Sequence, residues 1–224
     1  MKLNVKYFEN LIVFNNTEIN VIEIENKAMF YRFIRDLHSI NSYGVYEDIQ
    51  FFGEDAEINM INKLKIYVDF FDFQFDSKKN INDISKYVSS SVNEEDKDKI
   101  KSLYNKIIKS YEKILNEIDL PLCVDNEFNF DNLSKLIKLS IQTKDELLDN
   151  LLLLIDLERV LKSKCLLVFV NLKQYLSKNE LIELYKYAIY NNVNIFLVDS
   201  QSYGVTLKYE KKLIIDDNLA EFVL

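Results

Sequence analysis

The sequence has very little of the residues that build most catalytic and nucleotide-binding sites. Its 224 residues include three glycines, one proline, one histidine, two cysteines and no tryptophan. With His38 as the only histidine and no GxSxG motif, no Ser or Cys has a recognisable base partner for nucleophilic catalysis. Cys123 and Cys165 stand far apart without CxxC spacing. They therefore indicate neither a thiolate zinc site nor a disulfide framework.

The shortage of glycine also bears on nucleotide binding. The stretch NVIEIENKAMF has the order strand, turn, helix that carries GxxxxGK[ST] in nucleotide-binding proteins, yet its turn has no glycine and no Lys-Ser/Thr pair. A later strand ends in Asn171 where a Walker B strand would supply Asp, although Asp199 does end another strand. The pattern favours an ATPase-like sheet without its chemistry over an active ATPase.

Long apolar runs and an excess of positive charge are absent as well. No run is long enough to cross a bilayer, and the N-terminus has no basic region followed by an apolar core, so we expect a cytoplasmic protein without membrane contact. The formal net charge of −8 argues against wholesale coating of nucleic acid. An acidic protein can still bind DNA if its basic residues are gathered on one surface.

The two ends of the chain have the pattern of an α/β domain. Residues 20–25, 165–171 and 194–199 are nearly continuous Val, Ile, Leu and Phe, which is typical of strands buried on both faces of a mainly parallel sheet. NKAMFYRFIRDLHSI and SKNELIELYKYAIYNN supply helical crossovers, the second opening with Ser177 and Glu180 in a capping box. We predict an α/β head from 1–80 and 163–224.

Residues 81–162 have a different, helical periodicity. Between 94 and 118 apolar residues alternate at spacings of four and three, a heptad row made of Ile100, Tyr104, Ile107, Tyr111, Ile114 and Ile118. A second helix, from about 144 to 162, is apolar over a broader arc and should pack more deeply. Helices inserted between strands of one sheet would project from it, so we predict a helical leg with an acidic hinge.

The hinge is the segment NEIDLPLCVDNEFNFD, residues 116–131. Its acids are Glu117, Asp119, Asp125, Glu127 and Asp131. Carboxylates so close together repel one another unless water, a basic partner or a cation offsets them. Calcium suits this oxygen supply, although the segment is not an EF-hand. A solvated acidic loop and a magnesium site of a nuclease remain open from the residues alone.

Taken together, the chain resembles the ring-forming CRISPR adaptation protein of type II-A systems. The resemblance covers nearly the whole sequence, through MKLNVKYFENLIVF, VIEIENKAMFYRFI, DIQFFGED, NEIDL, and KCLLVFVN followed by LSKNELIELYKY. None of these is a catalytic signature, so the specificity lies in their order and spacing.

The resemblance implies a homotetrameric ring of α/β heads, each like a P-loop ATPase whose phosphate loop has decayed, with long-helix legs. It implies calcium at the junction of head and leg, and binding of double-stranded DNA ends without catalysis. It further implies a role in acquiring new spacers with the CRISPR integrase and effector nuclease. The alternative is an enzyme, a metal-dependent nuclease or degenerate nucleotidase, that uses the same acids to hold magnesium.

The resemblance supports some of the predicted site residues directly, and the others are predicted from their charge. Glu117 and Asp119 match the hinge acids of the family, and Asp125 and Glu127 are further candidate calcium ligands beyond a short insertion. Arg32 falls where the family helix is also basic. The other predicted DNA-binding residues follow from charge alone, and they are Lys27, Arg35, Lys106, Lys109 and Lys113.

Overall fold

The chain folds into two compact units. The computed structural model describes residues 1–44, 47–53, 56–124, 127–130, 133 and 137–224. One unit comprises 1–73 with 143–224, and the other comprises 74–142. The predicted boundaries lay at 80/81 and 162/163, so the second predicted leg helix falls within the first unit.

Strands and helices follow one another in mixed order along the described parts of the chain. In chain order they are β1 (Lys2–Val5), β2 (Ile12–Val13), β3 (Ile19–Ile24), α1 (Lys27–Tyr43), β4 (Ile49–Phe52), β5 (Leu64–Tyr67), α2 (Lys78–Ser91), α3 (Glu94–Leu115), α4 (Leu147–Val160), β6 (Leu166–Val170), a 3-10 helix (Leu172–Gln174), α5 (Lys178–Tyr190), β7 (Ile195–Asp199), β8 (Glu210–Ile215) and β9 (Glu221–Val223).

Two β-sheets form the framework of the first unit. The larger has the strand order β5-β6-β7-β3-β8-β9, and its neighbouring strands are parallel except for β8 and β9. The smaller, β2-β1-β4, is antiparallel. A mainly parallel sheet with helical connections confirms the predicted α/β class. The likeness to a decayed P-loop ATPase stays a prediction.

One hydrophobic core lies on the face of the large sheet that α1 covers. Strands β3, β6 and β7 are buried along their whole length, as their continuous apolar sequences predict. Alternation along β3 places Ile22 and Ile24 in a core with Phe33 and Leu37 of α1, and the small sheet contributes to the same core. Glu23, between the two isoleucines, therefore points to the opposite face.

Both ends of α1 are fixed by single residues. The side chain of Asn26 accepts a hydrogen bond from the amide of Met29 at 3.0 Å and so caps the first turn. The helix ends at Gly44, whose φ is 81°. A Cβ atom at this position would lie 2.7 Å from Cγ1 of Ile61. Only glycine meets both demands, so the C-terminal end of α1 is fixed.

The opposite side of the first unit holds α4 and α5. The predicted capping box is present at the start of α5, where the side chain of Ser177 and that of Glu180 each accept from the other's backbone. The hydroxyl of Tyr187 on α5 donates to Asp156 of α4 at 2.9 Å. Helix α4 buries a broad apolar face, which explains why it belongs to this unit and not to the leg.

The second unit is built around α2 and α3. Ser77 caps α2 and Asn93 caps α3, each through its side chain. No residue of α3 is buried, although the helix is 22 residues long. Its mixed charge is also why it is not a membrane helix: within the part of the chain that the structure describes, no helix combines the length and apolarity needed to span a bilayer.

Candidate functional site

The predicted basic residues of α1 meet around Asp36. This carboxylate is fully buried, and a buried charge is costly unless it is paired. Arg35 contacts it at 2.8 Å, Arg32 lies 3.8 Å from it, and the hydroxyl of Tyr7 donates to it at 2.9 Å. Burial and the Asp36 carboxylate both raise the pKa of Tyr7, so the phenol stays protonated. The two arginines therefore stabilise the buried Asp36 carboxylate.

Arg32 is held further by residues outside α1. Its guanidinium donates to Asp48 at 2.9 Å and stands 4.1 Å from the centroid of the Tyr7 ring. The hydrogen bond to Asp48 raises its pKa. Lys27, by contrast, is exposed in the first turn and forms no ion pair within the described residues. Of the three basic residues predicted on α1, Lys27 is the one most available to an anionic partner.

Three lysines of α3 form an exposed basic row. Lys106, Lys109 and Lys113 are all exposed, and none forms an ion pair in the described part of the chain. Their spacings of three and four place them on one face of the helix. The contrast is with Lys97 and Lys99, whose ammonium groups lie 2.8 Å from Glu94 and 2.6 Å from Glu95. The row, called the lysine row below, therefore keeps its charge uncompensated.

A second row on α3 is apolar and equally exposed. Leu103, Ile107, Tyr111 and Ile114 expose between 57% and 63% of their surface. At about 100° per residue, this apolar row lies roughly 120° around the helix from the lysine row. This exposed row differs from the predicted heptad row, which included Tyr104 and not Leu103. The ring of Tyr104 instead packs against that of Phe128, with centroids 5.3 Å apart. Helix α3 offers two faces with different chemistry.

The acidic hinge lies after the end of α3. Glu117, Asp119 and Glu127 are exposed, and Asp125 lies outside the described residues. Within the ranges that the structure describes, no three Asp, Glu, His or Cys side chains come together to hold a metal ion. Carboxylates are the right ligands for calcium. However, the described acids alone do not form a complete coordination set.

A buried charge cluster in the first unit was not predicted. Lys173 lies 3.0 Å from Glu23 and 2.8 Å from Glu210, and Lys212 lies 2.9 Å from Glu23. The hydroxyl of Tyr185 also donates to Glu210 at 2.9 Å. Burial by itself would raise the pKa of Glu23, but its hydrogen bonds and charge contacts with the two lysines lower it instead. The two lysines thus balance the two glutamates.

Asp199 is the unbalanced member of this region. It ends β7 and is the parallel-strand partner of Glu23, and both side chains are fully buried. Neither carboxylate oxygen of Asp199 has a hydrogen-bond partner among the described residues. Burial, together with the charges of Glu23 and Glu210, raises its pKa to about 7, although Lys173 opposes the rise. Asp199 therefore titrates near neutral pH.

The cluster supports an irregular crossover. Residues 200–209 connect β7 to the parallel strand β8 without a helix, so their backbone groups need partners from elsewhere. The amide of Tyr203 donates to Glu23 at 3.2 Å and that of Leu207 donates to Glu210 at 2.9 Å. The ammonium group of Lys212 donates to the carbonyl of Val205 at 2.7 Å. The charges stabilise a loop where a helix would normally lie.

One signal in the sequence could have revealed the cluster. Glu23 lies between Ile22 and Ile24 in a strand that is mostly apolar, and Lys212 directly precedes the apolar residues Leu213, Ile214 and Ile215 of β8. A charged residue in a strand buried on both faces needs an opposite charge nearby. The partners of Glu23 are 150 and 189 positions further along the chain, so the sequence alone could not name them.

The fold and sequence have known relatives. A family model described as CRISPR-associated protein (Cas_Csn2) matches residues 42–219, a range that includes the lysine row and the hinge. The CRISPR-associated protein Csn2 of Streptococcus agalactiae is 25% identical over an alignment of 194 residues, which covers 84% of this chain and 83% of that protein. The crystal structure of Stu0660 of Streptococcus thermophilus has the same fold, with a TM-score of 0.63 at 16% identity over 100% of this chain and 76% of that one. Because the family model matches well over half of the sequence, the chain belongs to the Csn2 family of CRISPR-associated proteins.

Proposed function

We propose that this protein is a non-enzymatic, double-stranded-DNA-binding protein of CRISPR spacer acquisition. The observation that carries the proposal is the lysine row, an exposed line of positive charge without ion pairs in a chain of net charge −8. Phosphate groups are the partners for such a row, because lysines that neutralise them release counterions. Because contacts to phosphates carry no information about the bases, binding should be insensitive to sequence.

Self-association is the second part of the proposal. The apolar row of α3 exposes four large side chains, more than an isolated helix in water should leave uncovered. We propose that it packs against another copy of the chain in a homotetrameric ring. The lysine row, about a third of a turn away, would then remain accessible to a duplex. A closed ring would load DNA from an end.

Calcium binding at the hinge is the third part, and it rests on the family resemblance and on donor chemistry. Glu117 and Asp119 are exposed carboxylates two and four residues past the end of α3, and Glu127 is exposed nearby in sequence. A full ligand set would have to include Asp125, water or a second copy, since the described acids do not suffice.

The direct test measures duplex binding across salt concentrations. The change of Lys106, Lys109 and Lys113 to alanine should weaken binding of a linear duplex more than about tenfold. The slope of the logarithm of the binding constant against the logarithm of salt concentration should become shallower by up to roughly three for each protomer on the DNA. The matched control changes Lys97 and Lys99, which are already paired with glutamates, and should have a much smaller effect.

Two further comparisons distinguish a DNA-binding ring from a nuclease. Linear fragments should bind better than relaxed closed circles of equal length, because a ring loads from an end. Incubation with magnesium should leave both intact. Cleavage that disappears when Glu117 and Asp119 are changed to alanine would instead establish the nuclease. Co-purification with the integrase and effector nuclease of the same CRISPR system tests the proposed place in spacer acquisition.

A further inference from the structure

An exposed aromatic patch lies on the first unit and includes none of the residues proposed above. Phe71 and Tyr175 expose 87% and 48% of their surface, and their rings meet edge to face with centroids 6.0 Å apart. Val68, three residues before Phe71, exposes 60%. Isolated exposed apolar residues are ordinary, but neighbouring large ones mark interaction surfaces. These three residues are called the aromatic patch below.

The patch is anchored in the core and is not a loose loop. Phe70, only 5% exposed, packs against Tyr175 with centroids 5.4 Å apart and against Phe169 of β6 at 6.3 Å. The backbone amide of Phe71 donates to the side chain of Asp69 at 2.8 Å, which fixes the turn that presents the ring. A ring held in place loses little entropy on binding, so it is suited to anchor a partner.

The charges around the patch select its partner. Asp69 and Asp72 are both exposed beside Phe71, and residues 68–74 contain no basic side chain. Near Tyr175 in sequence, Lys173 is buried in ion pairs and Lys178 is exposed. Carboxylates beside the rings repel a phosphate backbone but attract Lys and Arg, and Arg also stacks on aromatic faces. We propose that the aromatic patch binds a basic, apolar segment of another protein. This surface is distinct from the lysine row, which has the opposite charge.

The test uses a labelled synthetic peptide of alternating leucine and arginine and fluorescence anisotropy on the full chain. The change Phe71→Ser should weaken binding at least about tenfold, as loss of an aromatic anchor does. Asp72→Lys should weaken it as well, and added salt should reduce the difference. Tyr190→Ser is the matched control, because Tyr190 on α5 is 84% exposed and lies outside the patch. A peptide of alternating leucine and glutamate should not compete.

Three outcomes would overturn the proposal. Wild-type peptide affinity in the Phe71→Ser variant would show that the patch is not an anchor. Unchanged peptide binding with weakened duplex binding would assign the patch to nucleic acid. A smaller native mass with unchanged peptide binding would assign it to contacts between copies of this chain. Because Phe71 is exposed, circular dichroism should match the wild type, so a loss of fold cannot mimic the result.

Discussion

The stability of the Asp199→Asn variant, measured relative to the wild type, should be greater at pH 8 than at pH 5. In the folded state the Asp199 carboxyl faces Glu23, Glu210 and Lys173, is fully buried, and has a pKa raised from 3.8 to about 7. In the unfolded chain it would ionise near its ordinary value. At pH values between these two pKa values, the unfolded state has lost the proton and the folded state has kept it, so the free energy of unfolding falls as pH rises.

The size of the effect follows from the two pKa values. At 1.36 kcal/mol per pKa unit, the rise corresponds to roughly 4 kcal/mol of destabilisation, fully present above pH 7 and absent below about pH 4. Asparagine has nearly the same shape and no charge, so it removes this pH dependence. Its amide is left without partners among the described residues, which costs about 1–3 kcal/mol at every pH. The difference between variant and wild type should therefore grow with pH by several kcal/mol.

Urea unfolding followed by circular dichroism, at half-unit steps from pH 4.5 to 8.5, measures this difference. Subtraction of the wild-type curve removes the contributions of the other acids, including Glu23, whose lowered pKa has the opposite effect on stability. Asp72→Asn serves as the control, because Asp72 is exposed and its removal should shift the whole curve by little. A difference between Asp199→Asn and wild type that stays constant from pH 5 to 8 would refute the reasoning.

Three other changes test the hinge, the apolar row and a helix cap. The double change Glu117→Ala and Asp119→Ala should reduce calcium-dependent thermal stabilisation and duplex binding together, with the circular dichroism of the folded chain retained. Ile107→Lys should lower the assembly mass in native mass spectrometry, since it places a charge in a row proposed to pack against another copy. Ser177→Ala should lower the free energy of unfolding by about 1 kcal/mol, through loss of the cap of α5, in urea titrations.

Each of these has a contradicting result. A full calcium response and normal duplex affinity in the hinge variant would mean that the segment is a solvated acidic loop. An unchanged mass for Ile107→Lys would place the contacts between copies elsewhere. For Ser177→Ala, wild-type stability would mean that Glu180 or water replaces the lost hydrogen bond.

The sequence predicted the first unit well because its signals are local or periodic. Continuous apolar runs predicted β3, β6 and β7, and the capping residues Ser177 and Glu180 predicted the start of α5. Such features depend on neighbours a few positions away, and burial on both faces leaves a direct mark on composition. The order of these segments also led to the family, which the comparisons then established.

The predicted binding residues depended on more than local pattern. Arg32 and Arg35 carry the charge expected of a DNA contact, but the fold buries their neighbour Asp36 and brings Asp48 to Arg32, so both arginines are paired. On α3, only the structure separates lysines paired with glutamates from the unpaired lysine row. Charge can be counted in a sequence, but its compensation is a matter of distance.

By itself, then, the sequence determined the α/β class, the buried strands, the main helices and the family, because apolar periodicity and caps act over short range. Only the tertiary structure decided that α4 belongs with the first unit, since that depends on which face finds a partner. It also assembled Glu23, Lys173, Glu210 and Lys212 beneath a crossover without a helix. A buried charge is costly unless an opposite charge lies beside it, and parallel strands bring such pairs together from distant parts of the chain.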